Sequence, residues 1–230
     1  MQNFKNWLLL FFVILAFILF YAFDLEKYFT FSALQSYHEI LKDQVESNLF
    51  LSILLFGILY GAVTASSLPI AAFLMVLGGF LFGPYISVIV VDISATLGAC
   101  LLFLILKSTL GEILEMKAIP WIKKTERVFE KNAFSYLLFL RLVPFFPFWA
   151  VNIVAACLRV PLGTFFLATL LGIIPAVFIY SFVGNEVGVL LAQDQAPDLS
   201  IIFRAEILLP LCGLAFLSLL PIFFKKERRT

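Results

Sequence analysis

Long apolar stretches recur along this 230-residue chain and constrain its fold more than any other feature. They cover residues 7–23, 49–82, 85–106, 134–158, 162–183 and 207–224. A helix of about 20 apolar residues crosses a hydrocarbon core about 30 Å thick. Hydrophobic residues make up 63% of the chain and charged residues only 13%, which is unlike the composition of soluble domains. The sequence therefore predicts an all-α integral membrane protein.

Two of these stretches do not fit a single span, and they share one layout. Stretch 49–82 is too long for one crossing, and stretch 134–158 is interrupted by prolines. Each consists of an apolar segment, a break, a second apolar segment and a proline exit, followed at once by an uninterrupted span. The breaks and exits are SSLP at 66–69 with FGP at 82–84, and RLVPFFP at 141–147 with RVPLG at 159–163. Proline-broken segments at matching positions in two halves indicate a transporter-like inverted repeat.

The distribution of lysine and arginine favours two re-entrant hairpins that enter the membrane from opposite faces. With the N-terminus inside, this topology leaves only Lys27, Lys42 and Arg204 on the outer side, and most other cations inside. That asymmetry follows the positive-inside rule. If 49–66 crosses alone instead, the C-terminal KKERR lies outside, which fits the rule less well. We therefore expect about four spanning helices plus two opposed re-entrant helical hairpins.

Three parts are expected along the chain. The first is an uncleaved signal-anchor helix with an outer loop, because small residues at A-x-A spacing are missing after the first apolar stretch. The second contains two hairpin-plus-span repeats, and the third a C-terminal span and a basic tail. Their bounds are 1–48, 49–185 (with repeats 49–106 and 134–183) and 186–230.

The second break places a fixed cation, two prolines and an amide within an apolar run. Irregular backbone cannot face lipid, so the break is expected to be buried in protein or to line a wet cavity. Pro147 suits the first position of the returning half-helix, and Ser66 or Ser67 suits the cap of the equivalent half-helix in the first hairpin. Both half-helices then point free N–H groups and a positive dipole end inward. With Arg141 beside it, the second tip is expected to bind a phosphate.

The candidate substrate-binding residues are Arg141, Pro144, Pro147, Asn152, Ser66 and Ser67. Two of them have a simpler interpretation as well. Arg141 could extend along its stem to the inner surface, and Asn152 could form an inter-helix hydrogen bond that holds the hairpin. Asp92 is the one acid within a span, where an ion-coupling role competes with simple hydration.

The residues needed for other classes of function are missing. The chain has one histidine, His38, among charged residues, and three cysteines without metal-ligand spacing. No nucleophile–base pair is visible, so we expect no enzyme, no metal and no cofactor. No basic tract is long enough to indicate nucleic-acid binding. The Gly57/Gly61 and Gly79/Gly83 pairs favour close helix packing, with homodimerisation as the second interpretation.

Two segments carry a family resemblance over about residues 60–185. These are LPIAAFLMVLGGFLFGPYISVIVVDISATLGACLLFLILK and LLFLRLVPFFPFWAVNIVAACLRVPLGTFFLATLLGIIPAVFIYSFVG. They resemble the two halves of the VTT domain, which defines the SNARE-associated Golgi protein family of the DedA superfamily. The elements GGFLFGP, SATLGA and RLVPFFPF…N occur in that order.

The resemblance implies opposed re-entrant hairpins and the movement of phospholipids or polyprenyl-phosphate lipids between leaflets, in some bacterial branches driven by a proton gradient. Arg141, Pro144, Pro147 and Asn152 match the family's hairpin motif, and Gly79, Gly83 and Gly98 match its glycines. The chain departs from the family at Lys107, where arginine is common, and at Ile153 and Ala156, where tyrosine and glycine are common. The acids of the proton-coupled branch are absent from TASSLPIAA.

Two functions are therefore expected from different classes. The first is a lipid transporter or scramblase whose partners are membrane lipids with phosphate-bearing headgroups. The second is a structural membrane protein needed for envelope or membrane organisation, in which the hairpins only shape the fold. The expected location is the plasma membrane, the inner one in a bacterium, with both termini cytoplasmic.

Overall fold

The computed structural model describes residues 40–68, 70–116, 132–143 and 146–191, and the regular structure in these ranges is helical. The helices are α1 (Ile40–Ser47), α2 (Leu49–Ala65), α3 (Ala71–Met116), α4 (132–142), α5 (Phe148–Cys157) and α6 (Leu162–Leu191). The expected first and last spans, 7–23 and 207–224, lie outside the described residues. Apolar composition and helical structure together fit an integral membrane architecture.

Within the described ranges, two segments are long and apolar enough to cross a membrane, Ala71–Ser108 and Leu162–Leu190. Helices α1 and α2 form a third, bent candidate with an angle of 115° between them. Helix α6 continues to Leu191, past the end of the apolar pattern at 183 and past the expected domain boundary at 185.

The first expected break lies where the sequence predicted it, but its serines have a different role. Ser66 is the C-cap of α2, and Ser67 adopts the left-handed conformation with φ of 56°. The N–H of Ser67 donates to the Thr64 carbonyl and that of Leu68 to the Val63 carbonyl, which is the Schellman pattern of helix termination. The expectation that Ser66 or Ser67 caps the returning half-helix was therefore wrong. Ser66 and Ser67 end α2, and the next helix begins at Ala71.

Helix α3 consists of two helices joined at Gly83, whose φ of 74° and ψ of 169° are not helical. We call them α3a (71–82) and α3b (84–116). Pro84 follows the break directly, at the start of α3b, where its missing N–H costs nothing. The exit FGP therefore ends one helix and begins the next, as its sequence predicted. We call α2 and α3a together hairpin one.

Hairpin two consists of α4 and α5. Pro147 is the N-cap of α5, one residue before the position expected for it, and its carbonyl accepts from the N–H of Ala150. Pro144 lies outside the described residues. Helix α5 has 10 residues and is therefore about 15 Å long, half the thickness of a hydrocarbon core. At its end, Arg159 is left-handed with φ of 52°, so the Schellman pattern recurs.

The two long helices α3b and α6 pack against each other in opposite directions. The rings of Phe103 and Phe165 stack with centroids 4.4 Å apart, and the hydroxyls of Ser87 and Ser181 lie 3.0 Å apart. Residue numbers therefore fall along one helix as they rise along the other. Each hairpin precedes one of these helices, so the bases of the two hairpins lie at opposite ends of the bundle.

The core has two main parts, one around each hairpin. Hairpin two packs its Leu137 and Ala155 against Phe103 and Phe165. Hairpin one packs around Tyr60 and Leu74, together with Val91 and Val177 of the long helices. Phe148, at the start of α5, contacts both parts. The tip of hairpin two therefore reaches the region that hairpin one occupies.

Glycines allow the close approaches between helices that hold the hairpins. A Cβ at Gly79 would meet the backbone of Ser181, and one at Gly98 would meet the carbonyl of Gly61. Gly57 faces the Ser94 hydroxyl in the same interface. Small residues at such crossings are how membrane helices approach each other. Of the expected packing glycines, Gly57, Gly61 and Gly79 pack helices within this chain, whereas Gly83 serves the helix break.

Candidate functional site

Arg141 lies in the last turn of α4 and is 7% exposed. Its guanidinium donates to the side-chain oxygen of Asn152 at 2.6 Å and to the carbonyl of Phe148 at 3.3 Å, both on α5. It also donates to the Thr169 hydroxyl on α6 through Nε at 3.3 Å and through Nη2 at 3.1 Å. One side chain therefore joins both arms of hairpin two to the following long helix.

Two aromatic rings surround the same guanidinium. Its central carbon lies 4.0 Å from the ring centroid of Phe148 and 5.4 Å from that of Phe165. A ring face attracts a cation, and the attraction is stronger where water is excluded. The planar guanidinium can stack on a ring and donate hydrogen bonds in its own plane at the same time, which an ammonium group cannot do.

The charge of Arg141 is held by neutral groups. Its hydrogen-bond acceptors are an amide, a hydroxyl and a backbone carbonyl, and among the described residues no carboxylate forms an ion pair with it. The guanidinium is turned into the fold, so the alternative in which Arg141 extends to the membrane surface was wrong. A buried cation without an anionic partner is costly, and an anion that reached it would be strongly attracted.

Asn152 is completely buried and only half satisfied. Its Oδ1 accepts the hydrogen bond from Arg141, which assigns the amide orientation, and its Nδ2 has no partner among the described residues. The expected hydrogen bond between hairpin arms is therefore present. A donor beside the guanidinium is left over for a further acceptor.

Close packing fixes the position of Arg141 from the side of α6. A Cβ at Gly172 would lie 2.5 Å from the Arg141 Cβ and 3.3 Å from the Leu138 Cδ1. Thr169 stands one turn before this glycine and is 1% exposed. Helix α6 thus supplies a gap for the stem of Arg141 and a hydroxyl for its head.

Asp92 belongs to a second group of buried polar side chains, on α3b. It is 6% exposed, its Oδ1 has no partner among the described residues, and the same holds for the Thr96 hydroxyl one turn later. Tyr60 of α2, which is 1% exposed, belongs to the same core as Val91 and Ala95 beside this group. Helices α2 and α6 pack over this part of α3b, so Asp92 lies within the bundle.

Of the expected binding residues, the structure brings Arg141 and Asn152 together. Pro147 stands at the start of α5, next to Phe148, whereas no hydrogen bond in the described part of the chain links Ser66 or Ser67 to Arg141. Thr169 and Phe148 were not predicted as partners. A hydroxyl and an aromatic ring within apolar runs carry no signal in the sequence.

Lys107 has a structural position at the base of hairpin two. Its ammonium donates to the Val160 carbonyl at 3.1 Å and lies 5.4 Å from the Phe103 ring centroid. Val160 follows the left-handed Arg159, so Lys107 fixes the connection between α5 and α6 to the end of the α3b span. Lysine is sufficient for this contact, because a single carbonyl needs only one donor.

Comparison with known proteins places these residues within one domain. The VTT domain matches residues 68–186, which include Asp92, Arg141 and Asn152. The chain is 35% identical over 193 residues to the Transmembrane protein 41 homolog of Dictyostelium discoideum, covering 82% of this chain and 56% of that protein. It is 33% identical over 165 residues to Transmembrane protein 41B of Mus musculus, covering 70% of this chain and 54% of that protein.

The chain thus spans about half the length of the curated relatives it matches. No solved structure matches it. The domain match covers more than half of the chain, and the apolar helices agree with the printed descriptions of the relatives as transmembrane proteins. The chain is an integral, multi-pass membrane protein that belongs to the VTT-domain family of the DedA superfamily.

Proposed function

We propose that this protein moves phosphate-bearing lipids, phospholipids or polyprenyl-phosphate lipids, between membrane leaflets as a transporter or scramblase. The observation that carries the proposal is the buried Arg141 guanidinium, whose described partners are all neutral. An ionisable residue at membrane depth is a functional site by default. The unpaired Nδ2 of Asn152 beside it offers a second donor to the same anion.

The physical task is to lower the cost of taking a charged headgroup through hydrocarbon. An isolated anion loses its hydration there at a cost of several kcal/mol or more. In the described structure four of the five guanidinium N–H groups donate within the protein, so the remaining Nη1 N–H and the Nδ2 of Asn152 are the donors offered to a phosphate. These groups replace the water that the headgroup gives up.

The positions of the hairpin tips support a site near the middle of the membrane. Hairpin one ends beside Gly98, and Arg141, at the end of α4, contacts Thr169 and Gly172. Given the facing pairs of α3b and α6, Thr169 lies at about the level of Ala99, so both tips reach similar depth. Helices α3a and α5 are too short to span, and the hairpin bases lie at opposite ends, so hairpins that re-enter from opposite faces suit this arrangement.

A structural role is the second candidate, and one observation favours it. The hydrogen bonds from Arg141 to Phe148, Asn152 and Thr169 join α4 to α5 and α6. A residue that only held hairpin two would have the same contacts. In that case the protein would organise the membrane without moving lipid.

Leaflet exchange in liposomes separates the two candidates. The purified chain is reconstituted with phospholipids labelled with a fluorophore on the acyl chain, and an impermeant reductant then quenches the label in the outer leaflet. With the unaltered chain, we expect the reductant to quench more than half of the label, because lipids from the inner leaflet move outward during the assay. With Arg141→Ala, we expect it to quench only the half that starts in the outer leaflet. Arg159→Gly is the matched control, because it removes an exposed arginine at a left-handed position that glycine tolerates. Absence of exchange across several lipid classes would favour the structural role.

A further inference from the structure

The tip of hairpin two presents an exposed surface next to the Arg141 site. Phe146 is 45% exposed and Trp149 is 49% exposed, and Pro147 between them is exposed as well. The ring of Phe148, in contrast, lies 4.0 Å from the central guanidinium carbon of Arg141 and packs against the core. The first turn of α5 therefore has one side at the guanidinium and another side directed out of the described fold. We call Phe146, Pro147 and Trp149 the tip surface.

The tip surface lies near the middle of the membrane. Trp149 is about 12 Å along the helix axis from Cys157, the last residue of α5, at 1.5 Å per residue. Beyond Cys157, the Lys107 ammonium donates to the Val160 carbonyl at 3.1 Å, and a lysine at the end of a span marks the level of the membrane surface. Half of a hydrocarbon core is about 15 Å thick. Lipid tails are therefore the ordinary surroundings of an exposed side chain at the depth of Trp149.

Hydrogen-bond donors are concentrated at the tip surface, where lipid tails offer no acceptor. The indole N–H of Trp149 has no partner among the described residues, and the backbone N–H groups of Phe148 and Trp149 precede the first bonded one in α5, at Ala150. Asn152, one turn later and fully buried, adds the unpaired Nδ2. Tryptophan in membrane proteins prefers the interface, where its ring meets headgroups and its N–H is bonded. The tip surface thus has the chemistry of the membrane interface at the depth of the membrane centre.

Phospholipid headgroups are the occupant that fits these donors. Their phosphate and ester oxygens are acceptors, whereas acyl chains and an apolar helix of a second copy have none to offer. We propose that the bilayer is locally thinned at the tip surface, so that headgroups reach mid-membrane depth there and bind the indole N–H of Trp149 before they reach Arg141. This inference rests on the proposed lipid movement and deepens it, because it names the side of hairpin two from which lipid approaches.

The fluorescence of Trp149 reports on its own surroundings. Trp7→Phe and Trp121→Phe leave it as the single tryptophan of the chain. The purified variant is reconstituted in phosphatidylcholine vesicles that contain phospholipid with a nitroxide either on the headgroup or near the end of an acyl chain. Both nitroxides quench tryptophan fluorescence at short range. We expect the headgroup nitroxide to quench Trp149 more strongly than the chain-end nitroxide, although Trp149 lies near the centre of the membrane.

Leu171 offers the matched control at the same depth. It is also 49% exposed, and it follows Thr169, which bonds to the Arg141 guanidinium, by two residues. In a chain with Trp149→Phe added to the two substitutions, Leu171→Trp should be quenched mainly by the chain-end nitroxide. A Trp149 quenched like Leu171→Trp would mean ordinary hydrocarbon at the tip surface, and a Trp149 quenched by neither lipid would mean that protein or water covers it. Either result would overturn the proposal.

Lipid exchange then tests whether the donor of Trp149 serves the proposed movement. Trp149→Phe keeps an aromatic ring and removes the N–H, so we expect exchange about tenfold slower, as the loss of one hydrogen bond to a charged group predicts. Trp149→Tyr restores a donor and should recover part of the rate, whereas a role in packing alone would affect both variants alike. Equal rates for the two variants would overturn the assigned role of the indole N–H. Headgroup quenching of Trp149 without any exchange by the unaltered chain would instead refute the proposed function and leave the thinned bilayer at the tip surface in place.

Discussion

Arg141 combines two requirements that a lysine cannot meet together. Its fork contacts Asn152 and Thr169 on two different helices, and its plane stacks on Phe148. An ammonium group has three donors but no plane, and it is more strongly hydrated. The side chain therefore contributes to hairpin packing as well as to the charge of the site. Stability and activity have to be measured separately for any substitution here.

Three substitutions of Arg141 distinguish the contribution of its charge to lipid exchange from that of its planar geometry. We expect Arg141→Lys to retain part of the lipid exchange per molecule, because it keeps the cation but not the two-fold contact. Arg141→Ala should abolish exchange, and Arg141→Glu should be no better, because it repels an anionic headgroup. Lipid exchange is measured for each variant after reconstitution at equal protein density, and stability is measured separately by thermal unfolding in detergent. Full exchange by Arg141→Ala would leave the anion site without support.

Gly172 gives a way to displace Arg141 without altering its charge. In Gly172→Ala the new methyl would lie 2.5 Å from the Arg141 Cβ, so α4 and α6 must separate locally. Overpacking of this kind costs about 1–3 kcal/mol. We expect a lower unfolding temperature and slower lipid exchange, because the hydrogen bonds to Thr169 lengthen.

Gly163 is the matched control on the same helix. A Cβ there meets nothing within 4 Å, and its backbone is helical. Gly163→Ala should keep full exchange and gain up to about 1 kcal/mol of helix propensity. Equal effects of the two substitutions would mean that the contact with Arg141 does not position the guanidinium.

Among the residues of the site, the sequence predicted Arg141 and Asn152 but not the neutral partner Thr169. Arg141 and Asn152 are polar residues in an apolar run, and that contrast is visible without a structure. Thr169 follows Arg141 by 28 residues in the chain and contacts it only because α6 packs on α4. Such a contact depends on tertiary packing, which residue spacing alone does not give.

Helix ends in both hairpins are formed with residues that are unusual for the purpose. Ser67 and Arg159 occupy the left-handed position after α2 and α5, where glycine is the common residue. The left-handed conformation costs a non-glycine residue roughly 1–2 kcal/mol. Both hairpins therefore contain a strained corner, at the tip of hairpin one and at the base of hairpin two.

Relief of the strain at the first corner is measurable. Ser67→Gly should raise stability by about 0.5–1 kcal/mol, because the gain in the folded state exceeds the added entropy of the unfolded chain. Ser66→Gly is the control, since Ser66 has a φ of −85° and gains nothing from glycine. Thermal unfolding in detergent should place Ser67→Gly above the unaltered chain and Ser66→Gly at or below it. The reverse order would contradict the left-handed geometry of Ser67.

Breaks between elements were predictable, whereas caps were not. Proline and glycine mark the breaks at 66–69, 82–84 and 141–147 directly, because they restrict or free the backbone. The serines could cap either the helix before them or the one after them. The structure uses them for the former, since the Schellman bonds to Val63 and Thr64 satisfy carbonyls that lipid could not.

The whole bundle is organised around the antiparallel pair α3b and α6. Hairpin one packs on the first half of α3b and hairpin two on its second half, while α6 passes both. Close contacts at Gly79 with Ser181 and at Gly184 with Val76 hold hairpin one to the end of α6. Each hairpin thus packs on a different half of α3b, and α6 contacts both.

This arrangement predicts on which side of the membrane two loops lie. Lys124 and Asp194 are outside the described residues, but they follow α3b and α6, which run in opposite directions. The positive-inside rule assigns the side with Lys124 to the cytoplasm. In a chain whose three cysteines, Cys100, Cys157 and Cys212, are replaced by alanine, Asp194→Cys should react with an impermeant thiol reagent in intact cells. Lys124→Cys should react only after permeabilisation, which is also the control for its reactivity. Labelling of Lys124→Cys alone in intact cells would reverse the orientation, and labelling of both would contradict the opposed hairpins themselves.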